Sequence, residues 1–240
     1  MSIFDEPKID CHLHIFDPHR FPYREDTPYR PTGQEIGTAI QFRAVMQAYG
    51  VPYALLVGPN SGYGFDNRCM LDAIAQGEGR FKGVGVVPND VSAARLAELK
   101  AQGVLGVTVN VSLAGVDHFS QADTLFNRLA DLDMFAQVQY EKDQLLGLLP
   151  LIGRTRARLL IDHSGRPDAA AGLNQPGFQA LLDTFGPEGC LWASDWPFLK
   201  APERLDYGPL LRLAQDLMPD PRVRRQVMWE TPRRLFGFGD

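Results

Sequence analysis

Four residues of this chain have types and spacing that could do chemistry. His12 and His14 lie in the stretch D-C-H-L-H at residues 10–14, His163 in I-D-H-S-G-R-P at 161–167, and Asp195 in W-A-S-D-W-P at 192–197. Residues two apart in a strand point to the same face, so Asp10, His12 and His14 share one side and Cys11 and Leu13 the other. Two imidazoles side by side suit a metal ion or a catalytic pair, or else a polar layer of hydrogen-bonded histidines. Asp195 ends a run of small and apolar residues between Trp192 and Trp196. A carboxylate there can serve as a general base or, more plainly, as a turn or helix-capping residue. His19 and His118 fall in loop stretches, where a solvated side chain is the simpler expectation.

The elements that must position these residues alternate along the chain. Short apolar, β-branched runs at 9–16, 53–58, 81–87, 106–111, 134–140, 158–163 and 190–194 predict strands. Runs such as A-L-L-V are continuously apolar, as in a parallel sheet covered on both faces. Helical spacing predicts helices over 34–49, 67–76, 92–102, 121–132, 142–152, 177–185, 209–218 and 221–236, the last broken near Pro232. Repeated strand–helix–strand order implies right-handed βαβ units, hence a (β/α) barrel or an open doubly wound sheet. His12, His14, His163 and Asp195 all fall at the C-terminal ends of predicted strands, the end where barrel enzymes build their sites. Residues 17–33 form the one long irregular segment. Phe21, Tyr23 and Tyr29 would anchor it as an ordered lid.

Composition removes several function classes. The 240 residues carry 24 Lys and Arg against 29 Asp and Glu, a net charge of −5, so no nucleic-acid partner is expected. With 45% hydrophobic and 22% charged residues the chain is an ordinary globular sequence, read as a single domain over 1–240. Its longest uncharged stretch, 101–116, is shorter than the ~20 apolar residues of a membrane helix, so no membrane partner is expected. The first residues contain early acids and no apolar core of a secretion signal. Three cysteines without C-x-x-C spacing read as free thiols in a reducing cytoplasm.

The D-x-H-x-H start, the I-D-H-S-G-R-P segment and W-A-S-D-W-P, in this order, resemble the amidohydrolase superfamily. The similarity is strongest to its amidohydrolase-2 branch, the group of 2-pyrone-4,6-dicarboxylate lactonase-like hydrolases. N-S-G-Y-G-F-D-N at 60–67 and R-R-L-F-G-F near the end extend the likeness over nearly the whole chain. The resemblance implies a distorted TIM-like (β/α) barrel that opens a lactone of a small carboxylic acid. Asp195 would take a proton from the attacking water, and His163 would donate to the carbonyl as it becomes an oxyanion. His12 and His14 would hold water and substrate or ligate a metal. No cofactor is required on this expectation. The alternative is one divalent ion, Zn or Mn, on His12, His14 and Asp195. Thr108 and Asn110 on the fourth strand, with Gln137 and Gln139 on the fifth, stand where binuclear members place ligands, which argues against two metals. Arg166 is the expected carboxylate clamp, and Asn60, Ser61 and Tyr63 are expected to hydrogen-bond a ligand. Arg20, Arg24 and Arg30 could reach over the site from the first loop.

The chain departs from the family between residues 165 and 190, where only one helix fits and the usual seventh strand has no counterpart. A barrel lacking that strand would expose strand edges, a route to homo-oligomers. Two other functions fit the same motifs: a metal-dependent decarboxylase of the same branch, or a catalytically silent barrel acting as a binding protein.

Overall fold

The structure is a computed structural model that describes residues 2–165 and 175–239. In chain order its elements are β1 (Ile9–Leu13), α1 (Ala39–Tyr49), β2 (Tyr53–Val57), α2 (Arg68–Ala75), β3 (Phe81–Gly85), α3 (Ala93–Ala101), β4 (Val104–Asn110), α4 (Val111–Ala114), α5 (Val116–Phe119), α6 (Asp123–Asp131), β5 (Phe135–Gln139), α7 (Gln144–Arg154), β6 (Arg158–Ile161), α8 (Gln175–Phe185), α9 (Tyr207–Leu217), α10 (Pro221–Arg225) and α11 (Thr231–Phe236). The described residues group into two compact units. One runs to Lys82 and resumes at Gln175, and the other starts at Gly83.

In the first unit, β1 pairs with β2 in parallel. All five β1 residues are buried, as are four of the five in β2, which is why both read as uninterrupted apolar runs. α1 starts at a reciprocal cap in which Thr38 Oγ1 accepts from the Gln41 amide and Gln41 Oε1 from the Thr38 amide. It stops at Gly50 in the left-handed conformation. α9 buries Tyr207, Gly208, Leu211 and Ala214, one stripe at helical spacing. The expected break in the last helix is a single wide helical turn at Gln226–Glu230, just before Pro232.

The expected seventh run, 190–194, is not a strand. Residues 190–196 instead form an extended segment beside β1. Cys11 N donates to Trp192 O at 3.2 Å, Asp195 N to His12 O at 2.9 Å and His14 N to Trp196 O at 2.8 Å. Only one parallel bridge forms, Leu13 with Trp196. The left-handed φ of +57° at Asp195 breaks the regular extended backbone between the Trp192 and Trp196 contacts, so no continuous ladder forms.

In the second unit β3, β4, β5 and β6 pair successively in parallel. β4 buries Val104, Val107 and Val109, and β5 buries Phe135, Ala136 and Val138, while β6 has no fully buried residue. Among the described residues no strand lies beside the outer edge of β6, which accords with its half-buried and exposed pattern. Sequence pattern missed two short helical turns, α4 and α5. The first is capped by the Asn110 side chain, which accepts from the Leu113 amide.

The first loop is ordered. Gly62, in the turn after β2, is bound to it with φ +71°, its amide shared by the Tyr29 carbonyl and Thr27 Oγ1, both within 2.9 Å. A Cβ there would lie 2.7 Å from the Tyr23 ring. Gly62→Ala is therefore expected to cost about 1–3 kcal/mol, from the strained φ and the lost Tyr23 packing. A lowered urea midpoint at unchanged slope checks this. Among the described residues no helix is long and apolar enough to cross a membrane. Cys11, Cys69 and Cys190 are free, the first two buried.

Candidate functional site

The end of β1 and the turn at Asp195 bring three donor atoms together inside the first unit. His12 Nε2 lies 3.3 Å from His14 Nε2, and Asp195 Oδ1 lies 3.6 Å from the first and 3.5 Å from the second. The two imidazoles meet edge to face, with ring centroids 4.9 Å apart. His12 is buried, whereas the Asp195 side chain is 48% exposed, so the cluster opens on the carboxylate side. His14 Nδ1 stands 2.8 Å from the Val57 carbonyl. A carbonyl only accepts, so the ring proton belongs on Nδ1 and Nε2 presents a lone pair to the cluster.

The Asp195 distances are too long for direct hydrogen bonds. They suit a donor or cation held in common. Ligands at about 2.0–2.2 Å from a tetrahedral zinc stand roughly 3.3–3.6 Å from one another. His12, His14 and Asp195 therefore have the spacing to hold one divalent ion, with the Val57 carbonyl fixing the His14 ring as outer partners do.

Beneath the cluster lies a polar group whose role was not visible in the sequence. Asp10 is fully buried. It accepts from Ser194 N at 3.0 Å, Ser194 Oγ at 2.6 Å, Tyr207 Oη at 3.0 Å and His12 N at 3.4 Å. Burial pushes its carboxyl up to about 6, against the opposing pull of those donors. Burial and the neighbouring Asp10 carboxylate push the Tyr207 phenol well above its ordinary value. Asp10 thus ties β1 to the segment carrying Asp195, and does not line the cluster. The S-D pair in W-A-S-D-W-P was the only local hint. Tyr207 lies 197 positions from Asp10 and gave none.

The other expected site residues fall differently. His163 follows β6 in the second unit, in the left-handed region at φ +48°. Its amide donates to Asp162 Oδ1 at 3.0 Å, and its Nε2 lies 3.4 Å from Asp162 Oδ2. Arg166 lies outside the described residues. Asn60 and Ser61 are half-buried in the turn after β2. Tyr63, the third residue expected to hydrogen-bond a ligand, is packed inward in this structure. It is 2% exposed, its hydroxyl accepts from the Asp17 amide at 3.0 Å, and it stacks on Phe16, so it anchors the first loop. The loop arginines are also engaged locally. Arg20 binds Asp72 with both terminal nitrogens, Arg24 binds Asp26, and Arg30 donates to the Glu25 carbonyl. Thr108 and Asn110 of the second unit contact the Gly85 carbonyl and cap α4 respectively.

Comparison with known proteins extends these observations to the whole chain. Residues 9–183 and 169–238 match the Amidohydro_2 family model, described as amidohydrolase. A 4-sulfomuconolactone hydrolase of Rhizobium radiobacter is 31% identical over 273 aligned positions, covering 95% of this chain and 89% of that protein. The alignment is longer than the chain's 240 residues, so that relative holds positions with no counterpart here. The family match falls in two segments that overlap at 169–183, within the stretch where the seventh strand is expected to be lacking. A 2-pyrone-4,6-dicarboxylate hydrolase of Comamonas testosteroni is 29% identical over 95% of this chain and 74% of its own length. The crystal structure of a protein described as a probable 2-pyrone-4,6-dicarboxylic acid hydrolase from Acinetobacter baumannii, with citric acid bound, superposes at a TM-score of 0.86. It is 23% identical and covers 96% of this chain and 99% of that one. That likeness shows the fold, a distorted (β/α) barrel of six described strands.

Proposed function

Because the chain belongs to the Amidohydro_2 family of amidohydrolases, we propose that it hydrolyses a lactone of a small carboxylic acid with Asp195 as general base. The observation that carries this reading is the convergence of His12 Nε2, His14 Nε2 and Asp195 Oδ1 within 3.6 Å at the open end of β1. The lactone-opening activities of the relatives support the substrate class.

Water at neutral pH is a weak nucleophile, and a positioned carboxylate raises its reactivity by accepting a proton as the new bond forms. Asp195, its side chain 48% exposed and its Oδ1 beside two imidazoles, has the access for that task. The water oxygen adds to the lactone carbonyl carbon, and the carbonyl becomes an oxyanion. His163 is the proposed donor to that oxyanion, a role that can contribute roughly 3–4 kcal/mol. When the tetrahedral species collapses, the ring C–O bond breaks and the proton held by Asp195 passes to the leaving oxygen. The product is an open-chain hydroxy acid. His12 and His14 orient the water and the carbonyl. Arg166, in a guanidinium geometry matched to carboxylates, is the proposed clamp for the acid group, with Asn60 and Ser61 at the turn after β2 as further polar contacts.

His12, His14 and Asp195 would hold a single zinc or manganese ion, and such an ion lowers the pKa of a bound water toward neutrality. Both units are read as one amidohydrolase domain, since the family match runs through each. The free thiols support a reducing compartment such as the cytoplasm.

The test is acid release from a panel of aromatic and sugar lactones bearing carboxylates, run with parallel metal analysis. Ring opening of at least one lactone is expected. Folded, metal-analysed protein that opens none of them but releases carbon dioxide from the matching acids would replace hydrolysis with decarboxylation. If a metal is held, one equivalent per chain is expected, and chelation should abolish turnover while His14→Ala lowers the metal content.

A further inference from the structure

We infer that Ser194, clamped by the buried Asp10 and Tyr207, is the positioning residue that sets the Asp195 carboxylate in place. The inference rests on the assignment of Asp195 as base. Asp195 has a backbone φ of +57°, a left-handed conformation that side-chain-bearing residues rarely keep without support. Three contacts hold it. Its amide donates to the His12 carbonyl at 2.9 Å, its carbonyl accepts from Phe198 N at 3.0 Å, and the amide of the next residue, Trp196, donates to Ser194 Oγ at 3.0 Å.

The third contact closes a side-chain turn across Asp195, from the residue before it to the residue after. Ser194 Oγ can hold that turn only if its own proton is placed elsewhere. Asp10 Oδ2 takes it at 2.6 Å, while Asp10 Oδ1 accepts from Ser194 N at 3.0 Å. Tyr207 Oη then donates to the same Oδ2 at 3.0 Å, which fixes the carboxylate from the side of α9. A continuous path therefore runs from the first turn of α9 through Asp10 and Ser194 to the Trp196 amide, and Asp195 projects from the loop this path closes. Asp10 is fully buried and Ser194 is 5% exposed, so neither acts by touching substrate. Their effect comes through the orientation of Asp195 against His12 and His14. A base displaced by about 1 Å loses roughly 10²-fold in rate.

The experiment compares Ser194→Ala, Ser194→Thr and Tyr207→Phe in the wild-type and Asp195→Asn backgrounds. It uses a lactone that the wild type opens, at temperatures well below each variant's melting point. Ser194→Ala is expected to lower kcat roughly 10–100-fold with KM changed less than about threefold. Ser194→Thr keeps the hydroxyl and is expected to restore most of kcat. Tyr207→Phe removes one donor to Asp10 and is expected to cost less than Ser194→Ala, again in kcat. In the Asp195→Asn background Ser194→Ala should have little further effect, because the carboxylate it places is gone. Equal losses in both backgrounds, or no recovery in Ser194→Thr, would mean that Ser194 only supports folding, and the inference falls. A silent Ser194→Ala beside an inactive Asp195→Asn would sink the positioning role and leave the base in place. Full activity in Asp195→Asn would remove the base itself and the inference with it.

Discussion

Asp195→Asn is expected to lower kcat roughly 10²–10⁴-fold, the contribution of a positioned general base, with KM and melting temperature close to wild type. The side chain keeps its shape and loses its charge and basicity. Asn is also among the few residues that accept a left-handed backbone, so the φ of +57° is retained along with the amide bond to His12 and the carbonyl bond from Phe198. A replacement by Ala would confound this result, because Ala at that φ is strained and the turn itself would be disturbed. Steady-state kinetics on one opened lactone, with circular dichroism to verify folding, decides the matter. A kcat within a few-fold of wild type would reassign the base. The same variant reports on metal, since loss of one anionic ligand from a set of three weakens the site. A drop in metal content alongside kcat would place the ion in the cluster, whereas loss of kcat without metal in either protein fits activation by the carboxylate alone.

The residues of this cluster were legible because each sits in a short local pattern. The i, i+2 pair His12 and His14 is readable from strand alternation, and Asp195 from a small-residue run ending in an acid between two tryptophans. The helices were legible for the same reason, through apolar spacing and end signals such as Gly50. Pattern failed where a residue's task depends on a distant partner. The Tyr63 hydroxyl accepts from the Asp17 amide, a partner 46 positions away that no local pattern reveals. Arg20, Arg24 and Arg30 could reach over the site or stay as solvated loop charges by sequence alone, and only the structure shows Arg20 and Arg24 held by Asp72 and Asp26. Residues 190–194 have strand composition, but a strand needs a regular ladder, and the left-handed Asp195 breaks it ahead of the single bridge at Trp196. The Asp10–Ser194–Tyr207 path joins β1, the 190–196 segment and α9, and no window of local sequence contains all three.

A second long-range pair is expected to carry the largest stability effect in the chain. Arg224, 4% exposed, places Nε and Nη2 on Glu6 at 2.9 and 2.6 Å, and Nη1 on the Met218 and Pro219 carbonyls at 2.6 and 3.0 Å. One guanidinium thus joins the segment before β1 to the start of α10. Removing one member of a buried pair leaves the other charge desolvated and unpaired, and such a change costs about 3–5 kcal/mol. Against a total stability of roughly 5–15 kcal/mol this is a large share. Arg224→Met is expected to lose this amount in urea unfolding, since it also strands two carbonyls. Glu6→Gln is expected to lose less, because the amide oxygen can still accept from Arg224. The bond from Arg224 holds the Glu6 carboxyl below its usual value of 4.5 despite the opposing effect of burial. The native state then binds fewer protons than the unfolded state between the two values. This contribution is complete above the unfolded value and fades as pH falls through the native one. Wild type should therefore lose stability on acidification below about pH 4.5 more steeply than Glu6→Gln, whose side chain does not titrate. Parallel acid limbs in the two proteins would show that the pair contributes nothing to the pH dependence, and an Arg224→Met loss under about 1 kcal/mol would place it with exposed ion pairs.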